Sequence, residues 1–303
     1  AAGVQTMLNY SREFEHEADR IGIQTLEKAG FDVRGMAAFF ERMQKFGRLY
    51  ENNAPGYLRT HPLTTERISD MEHRILQAQY RQVADSPEFQ LVRAKLRASQ
   101  GHPNDAIVDF ETQLRERKYL SEAAARYGLA VAQMRAKNYA AVDREIAELR
   151  RLKASSPMLD TLATDTKKAR GDLAGALKLY REARTRHPRN RALLYGQIDA
   201  LLADGQAQEA LKTATAELQL TPSDAALHGL QAKSHAALGK RLQQHRAQAE
   251  MYVLQGYLAP AIQQLELAQK AGDGDYFEHS QVDARLRELR ARHLEEMKQK
   301  LPF

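Results

Sequence analysis

The side chains best suited to chemistry sit in two short segments. Ser11-Arg12-Glu13-Phe14-Glu15-His16-Glu17-Ala18-Asp19-Arg20-Ile21-Gly22 lies within a helical pattern, and Thr60-His61-Pro62-Leu63-Thr64-Thr65-Glu66-Arg67-Ile68 leads into another. Glu15 and Asp19 are four residues apart, so a helix sets both carboxylates on one face, with Arg12 a turn earlier. On spacing alone a solvated acidic surface is the ordinary reading. Against it, that face borders an apolar stripe, Ala18 and Gly22 keep the helix slim for close packing, and the second unusual segment follows downstream. The chain has no cysteine, so a metal would have to be held by His, Asp or Glu.

The other histidines carry less. His73, His102, His187, His228, His235, His245, His279 and His293 form no pair at the i,i+4 spacing of helical metal ligands, and read as surface or groove residues.

The elements that must position the two segments follow from periodicity. Val4, Met7, Leu8, Phe14, Ala18, Ile21 and Leu26 recur at helical spacing and predict one long helix from Ala1 to about Ala29. Gly30 supplies its stop, and Asp32 caps a second helix to about Phe46 that buries Met36, Phe39, Phe40 and Met43. Gly47 to Leu58 reads as a loop, and a third helix from Thr64 or Thr65 to Tyr80 turns Ile68, Met71 and Ile75 inward. Asp85-Ser86-Pro87 marks a boundary, which divides the chain into residues 1–85 and 86–303.

Beyond that boundary the sequence repeats. Gly101, Lys137, Gly171, Gly205 and Gly239 are spaced 36, 34, 34 and 34 residues. Small residues follow five positions later at Ala106, Ala176 and Ala210, larger apolar ones four further on at Phe110, Ile146 and Tyr180, and Pro188 and Pro222 close two units. A 34-residue period of this kind belongs to tetratricopeptide repeats, each a pair of helices that buries its face only against its neighbours. The turn at Gly256 comes a half-period after Gly239, and a charged helix from about Ser280 to Lys300 is the natural cap.

Composition agrees. Only 17 Gly and 9 Pro punctuate 303 residues rich in straight-chain helix formers, so the fold class is all-α. The net charge of +6 is dispersed among alternating acids and bases, as in Arg144-Glu145, which reads as solvated helix faces and gives no nucleic-acid footprint. No apolar run approaches the roughly 20 residues of a transmembrane helix.

The two opening segments resemble the HtpX-type and CAAX-prenyl-protease-type zinc metallopeptidases. Those enzymes pair a His-Glu-x-x-His helix with a later S-R-x-x-E-x-x-A-D helix and a T-H-P-x-x-x-x-R-I segment. The last two patterns are complete here, at 11–19 and 60–68. Their union with a tetratricopeptide array, through to the closing Val282-Asp-Ala-Arg-Leu-Arg-Glu-Leu stretch, is similar to one periplasmic branch of that family. The resemblance implies the C-terminal helical part of a metallopeptidase domain followed by a tetratricopeptide solenoid. It places Glu15 as third zinc ligand and Asp19 behind a ligand histidine. His61 then stands near the Zn2+, as an oxyanion donor or as an inhibitory fourth ligand, and Arg67 braces the segment or polarises the scissile carbonyl. It further implies a Gram-negative periplasm and a protease and chaperone of outer-membrane protein assembly. The repeats would bind outer-membrane β-barrel clients and the β-barrel assembly machinery.

One departure bears on activity. The sequence has no His-Glu-x-x-His: His16-Glu17 is followed by Arg at position 20. The chain, which opens Ala1-Ala2-Gly3, is therefore expected to be a fragment without peptidase activity or tight zinc binding, retaining the binding module and one zinc ligand. A non-enzymatic tetratricopeptide scaffold or chaperone is the alternative.

Overall fold

Glycine at the predicted turns and straight-chain residues between them give a chain of successive helices. The computed structural model describes residues 2–49, 65–76, 78, 80–81 and 83–300, and among these it contains fifteen helices and no strand. They form two compact units, Ala1–Ser86 and Pro87–Phe303.

The first unit holds α1 (Ala2–Lys28), α2 (Arg34–Leu49) and α3 (Thr65–Ile75). Gly30 at φ +84° ends α1, with Phe31 N–H donating to Leu26 O, and the Asp32 carboxylate accepts from Arg34 N–H at 3.0 Å to start α2. Phe40, Ile68 and Met71 form a small core to which Ile23 and Met36 add.

Four expectations change here. Helix α2 continues through Gly47 to Leu49, where a loop was expected, and α3 stops at Ile75 short of Tyr80. The Tyr80 ring lies beneath the Arg34 guanidinium, 5.1 Å away. The inward face of α1 also differs: Phe14 is 69% exposed and Ile21 about half exposed, whereas Asp19 is buried. Phe39 likewise lies outward and Phe40 takes the core position. The inward face of α1 is the one whose Asp19 and Glu15 pair with the buried guanidinium of Arg67. His61, the rest of 60–64 and the expected loop beyond Leu49 fall outside the described residues.

In the second unit, helices pair as the repeats require. The pairs are α4 (Pro87–Ala98) with α5 (Pro103–Glu116) and α6 (Glu122–Arg135) with α7 (Tyr139–Arg151). Then come α8 (Pro157–Ala169) with α9 (Leu173–Arg186), and α10 (Arg191–Ala203) with α11 (Ala207–Leu220). Next is α12 (Ala225–Ala237) with α13 (Arg241–Leu254), after which α14 (Leu258–Gln269) and α15 (Tyr276–Lys300) close the array. Gly101, Gly171, Gly205 and Gly239 occupy the left-handed region inside the pairs, and Lys137 does the same at φ +58°. Ser121, Asp172, Asn190 and Asp224 cap the helices that follow them.

Stacking rests on size complementarity between repeats. A Cβ at Gly128 would lie 2.3 Å from the Phe110 ring, and one at Gly196 would lie 2.5 Å from the Tyr180 oxygen. The large residue of one second helix thus fills space left by glycine on the next first helix. Polar bonds span nearly the same interval, 34 or 35 residues: Arg135 reaches Gly101 O at 2.9 Å, Lys233 reaches Asp199 at 3.2 Å, and Arg285 holds Glu250 at 2.8 Å. The capping helix begins at Tyr276, four residues earlier than expected. Asp275 and Glu278 there form a reciprocal box, with bonds of 2.7 and 3.1 Å.

Candidate functional site

Burying a guanidinium is costly unless its fork is filled, and α1 fills that of Arg67. Arg67 is 6% exposed; its Nε and Nη2 each donate to Asp19 at 2.7 Å, and its Nη1 lies 2.9 Å from Glu15 Oε2. Asp19 is buried too, at 3%. The pairing joins the two segments singled out in the sequence, across 48 residues. Helical geometry permits it, because Glu15 and Asp19 are successive on one face of α1 and Arg67 faces them from the first turn of α3.

Elements outside those segments complete the setting. The Phe40 ring, on α2, lies 5.3 Å from the guanidinium carbon of Arg67. Gly22 faces the end of the Met36 side chain on α2, 3.4 Å from where a Cβ would stand, an ordinary contact distance. One turn along the interface, His16 comes within 4.0 Å of Asp70, which also accepts from Arg74 at 2.9 Å. Of the predicted site residues, then, Glu15, Asp19 and Arg67 are brought together, and His61 lies outside the described residues. Phe40 was missed as a member of the setting, because an aromatic at core spacing signals packing and nothing more.

As a metal centre the described residues do not suffice. Among them no three His, Cys, Asp or Glu side chains come together as a donor set, and the carboxylate of Glu15 faces Arg67. What the cluster can do by itself is fix charge: a guanidinium and two carboxylates held in one geometry inside a small core.

The second candidate surface is the inner row of the repeat unit, where α4, α6, α8, α10 and α12 pack in succession. Tyr180 donates to Asp165 at 2.9 Å and Tyr195 to Asp224 at 2.6 Å. Burial pushes the Tyr127 and Tyr195 phenols up to about 12, well above neutral pH. His228 and His235 fall on α12, and His235 is half buried, with burial pulling its pKa below the usual imidazole value. No helix among the described residues is long and apolar enough to cross a membrane.

A helical segment built around a carboxylate–guanidinium cluster, followed by stacked helix pairs, defines the class, and comparison with known proteins agrees. Residues 1–75 match the model of peptidase family M48, and residues 91–157 and 165–225 match that of the tetratricopeptide repeat. The chain thus joins a segment that matches the M48 peptidase family to one that matches tetratricopeptide repeats.

Among individual proteins it is similar to the Beta-barrel assembly-enhancing protease of Escherichia coli (strain K12). Identity is 30% over 287 residues, covering 94% of this chain and 58% of that protein. The protein of the same name from Yersinia pestis is 29% identical over 295 residues, 96% of this chain and 60% of its own length. Human Metalloendopeptidase OMA1, mitochondrial, is 36% identical over 70 residues, 23% of this chain and 13% of that protein. The chain therefore spans about three-fifths of the bacterial relatives it matches.

Proposed function

We propose that this chain belongs to a zinc metalloendopeptidase and chaperone of outer-membrane protein assembly in the periplasm of a Gram-negative bacterium. In this reading the tetratricopeptide unit binds β-barrel clients and the barrel-assembly machinery. The observation that carries it is the Glu15–Arg67–Asp19 cluster, which unites two peptidase motifs in a chain that continues into repeats.

In the complete enzyme Glu15 supplies one zinc ligand and Asp19 steadies a ligand histidine through a carboxylate already fixed by Arg67. His61 stands at the metal as an inhibitory fourth ligand, and Arg67 braces the segment that carries it. Zinc, when bound, polarises the scissile carbonyl and activates water. This sequence contains no His-Glu-x-x-His, so the chain alone is proposed to lack peptidase activity and to bind zinc weakly.

The test compares this chain with a longer protein that includes such a motif, by zinc content and by chelator-sensitive casein cleavage. The longer protein should bind zinc and cleave, and Glu15→Gln should abolish cleavage while capture of an unfolded β-barrel client persists. Normal turnover and zinc content in the Glu15→Gln variant would sink the ligand assignment. Chelator-sensitive cleavage by this chain alone would overturn its proposed inactivity.

A further inference from the structure

A planar guanidinium makes all its hydrogen bonds at its edge. For Arg67 that edge faces Asp19 and Glu15, both on α1. The flat face has no such recourse, and at 6% exposure water cannot solvate it fully. Phe40 is buried beside it, its ring centroid 5.3 Å from the guanidinium carbon. An aromatic face carries negative potential and attracts a cation, the more strongly when both are dry. Aliphatic neighbours surround the same spot: Ile23, Met36, Ile68 and Met71 pack with Phe40 and supply volume without that potential.

From this geometry we propose that Phe40 is a positioning residue. Its ring holds the guanidinium of Arg67 in the plane from which the fork engages Asp19 and Glu15 together. Phe40 stands on α2, outside both motif segments, so a third element sets the geometry of the cluster. A guanidinium free to rock about its long axis would keep one carboxylate at the expense of the other. For the peptidase, such rocking would misplace Glu15. The positioning claim stands on the cluster itself; its consequence for catalysis rests on the peptidase reading above.

Fluorination separates electrostatics from packing. Placing 4-fluoro- and then 3,4,5-trifluorophenylalanine at position 40 of the 303-residue chain nearly preserves ring shape while stripping negative potential from its face. The readout is solvent exchange of the Arg67 Nε–H, measured by NMR, the hydrogen donated to Asp19 at 2.7 Å. Exchange should quicken stepwise to about tenfold in the trifluoro chain, with unchanged helical circular dichroism. Phe40→Met, which fills space without a ring, should behave like the trifluoro chain. Unchanged exchange across the fluorinated series would overturn the proposal and leave Phe40 a packing residue. In the longer peptidase, the same series should lower kcat at constant KM. Faster exchange with unaltered kcat would remove the catalytic consequence. Faster exchange in a protein that shows no peptidase activity even with Phe40 intact would instead overturn the peptidase reading and leave the positioning claim standing.

Discussion

Arg67, in the first turn of α3, and Asp19, midway along α1, share two hydrogen bonds of 2.7 Å, although 48 residues separate them. The pair is almost dry, and it ties α3 to α1 beside the small core of Phe40, Ile68 and Met71 against which Ile23 of α1 packs. A buried ion pair adds little over well-packed apolar groups, but breaking one half of it is costly because a charge is stranded.

Arg67→Met should therefore destabilise the first unit by about 3–5 kcal/mol, the usual cost of stranding a buried charge. Hydrogen exchange along α1 would report the loss, and exchange in α6 to α14 should be unaffected. Equal protection of α1 in variant and parent would show that the pair does not hold the helices together.

How much of this was legible beforehand differs between the units. The repeats announce themselves because one rule, a small residue five after the turn and a large one four later, recurs at a fixed period. Ala106, Ala176 and Ala210 are accordingly buried, as are Phe110, Ile146 and Tyr180. The first unit has no such redundancy. Its apolar stripe pointed to Phe14 and Ile21, yet the face that turns inward carries Asp19, since a charge becomes an inward residue only when its partner is known. Motif spacing marked Glu15, Asp19 and Arg67 as candidates without showing that they meet. Phe40 gave no signal beyond hydrophobicity.

Lys137 adopts φ +58° at a turn where Gly101, Gly171, Gly205 and Gly239 stand in the other repeats. A Cβ in that conformation costs roughly 1–2 kcal/mol. Lys137→Gly should raise stability by about 1 kcal/mol, the extra chain entropy of glycine offsetting part of the relief. Gly171→Ala should lower it by a similar amount, since open space surrounds its Cβ position and backbone strain is the main penalty. Urea midpoints of the two variants shifting in the same direction would contradict this account.

His61 divides two chemistries. A neutral imidazole is a good fourth ligand for zinc, and in that role it would displace the water that hydrolysis consumes. As an oxyanion donor it would help catalysis. In the longer peptidase, His61→Ala should raise basal casein turnover, as expected of a plug that client binding removes by favouring the open form. A fall of roughly 10²–10³ would assign His61 to transition-state stabilisation instead.

The repeat unit should also lose stability on mild acidification, through His235. Burial, then Lys240 and Arg246, hold its pKa below the ordinary imidazole value, and Glu278 opposes them weakly. Well above pH 6.5 the ring is neutral in both folded and unfolded chains and contributes no pH dependence. As pH falls through 6.5 the unfolded chain takes up a proton that the folded one resists, so stability declines until the lowered folded pKa is passed. The slope should stay well under the about 1.4 kcal/mol per pH unit that one full proton commands, because the side chain is partly exposed and solvent screens its neighbours. Urea midpoints followed by circular dichroism at pH 7.5 and 5.5 give the difference, and His235→Gln should shrink it. The comparison of pH differences cancels whatever the substitution does to packing, since that effect is common to both conditions. A variant whose midpoint drops between the two pH values by as much as the parent's would show that the pH dependence resides elsewhere.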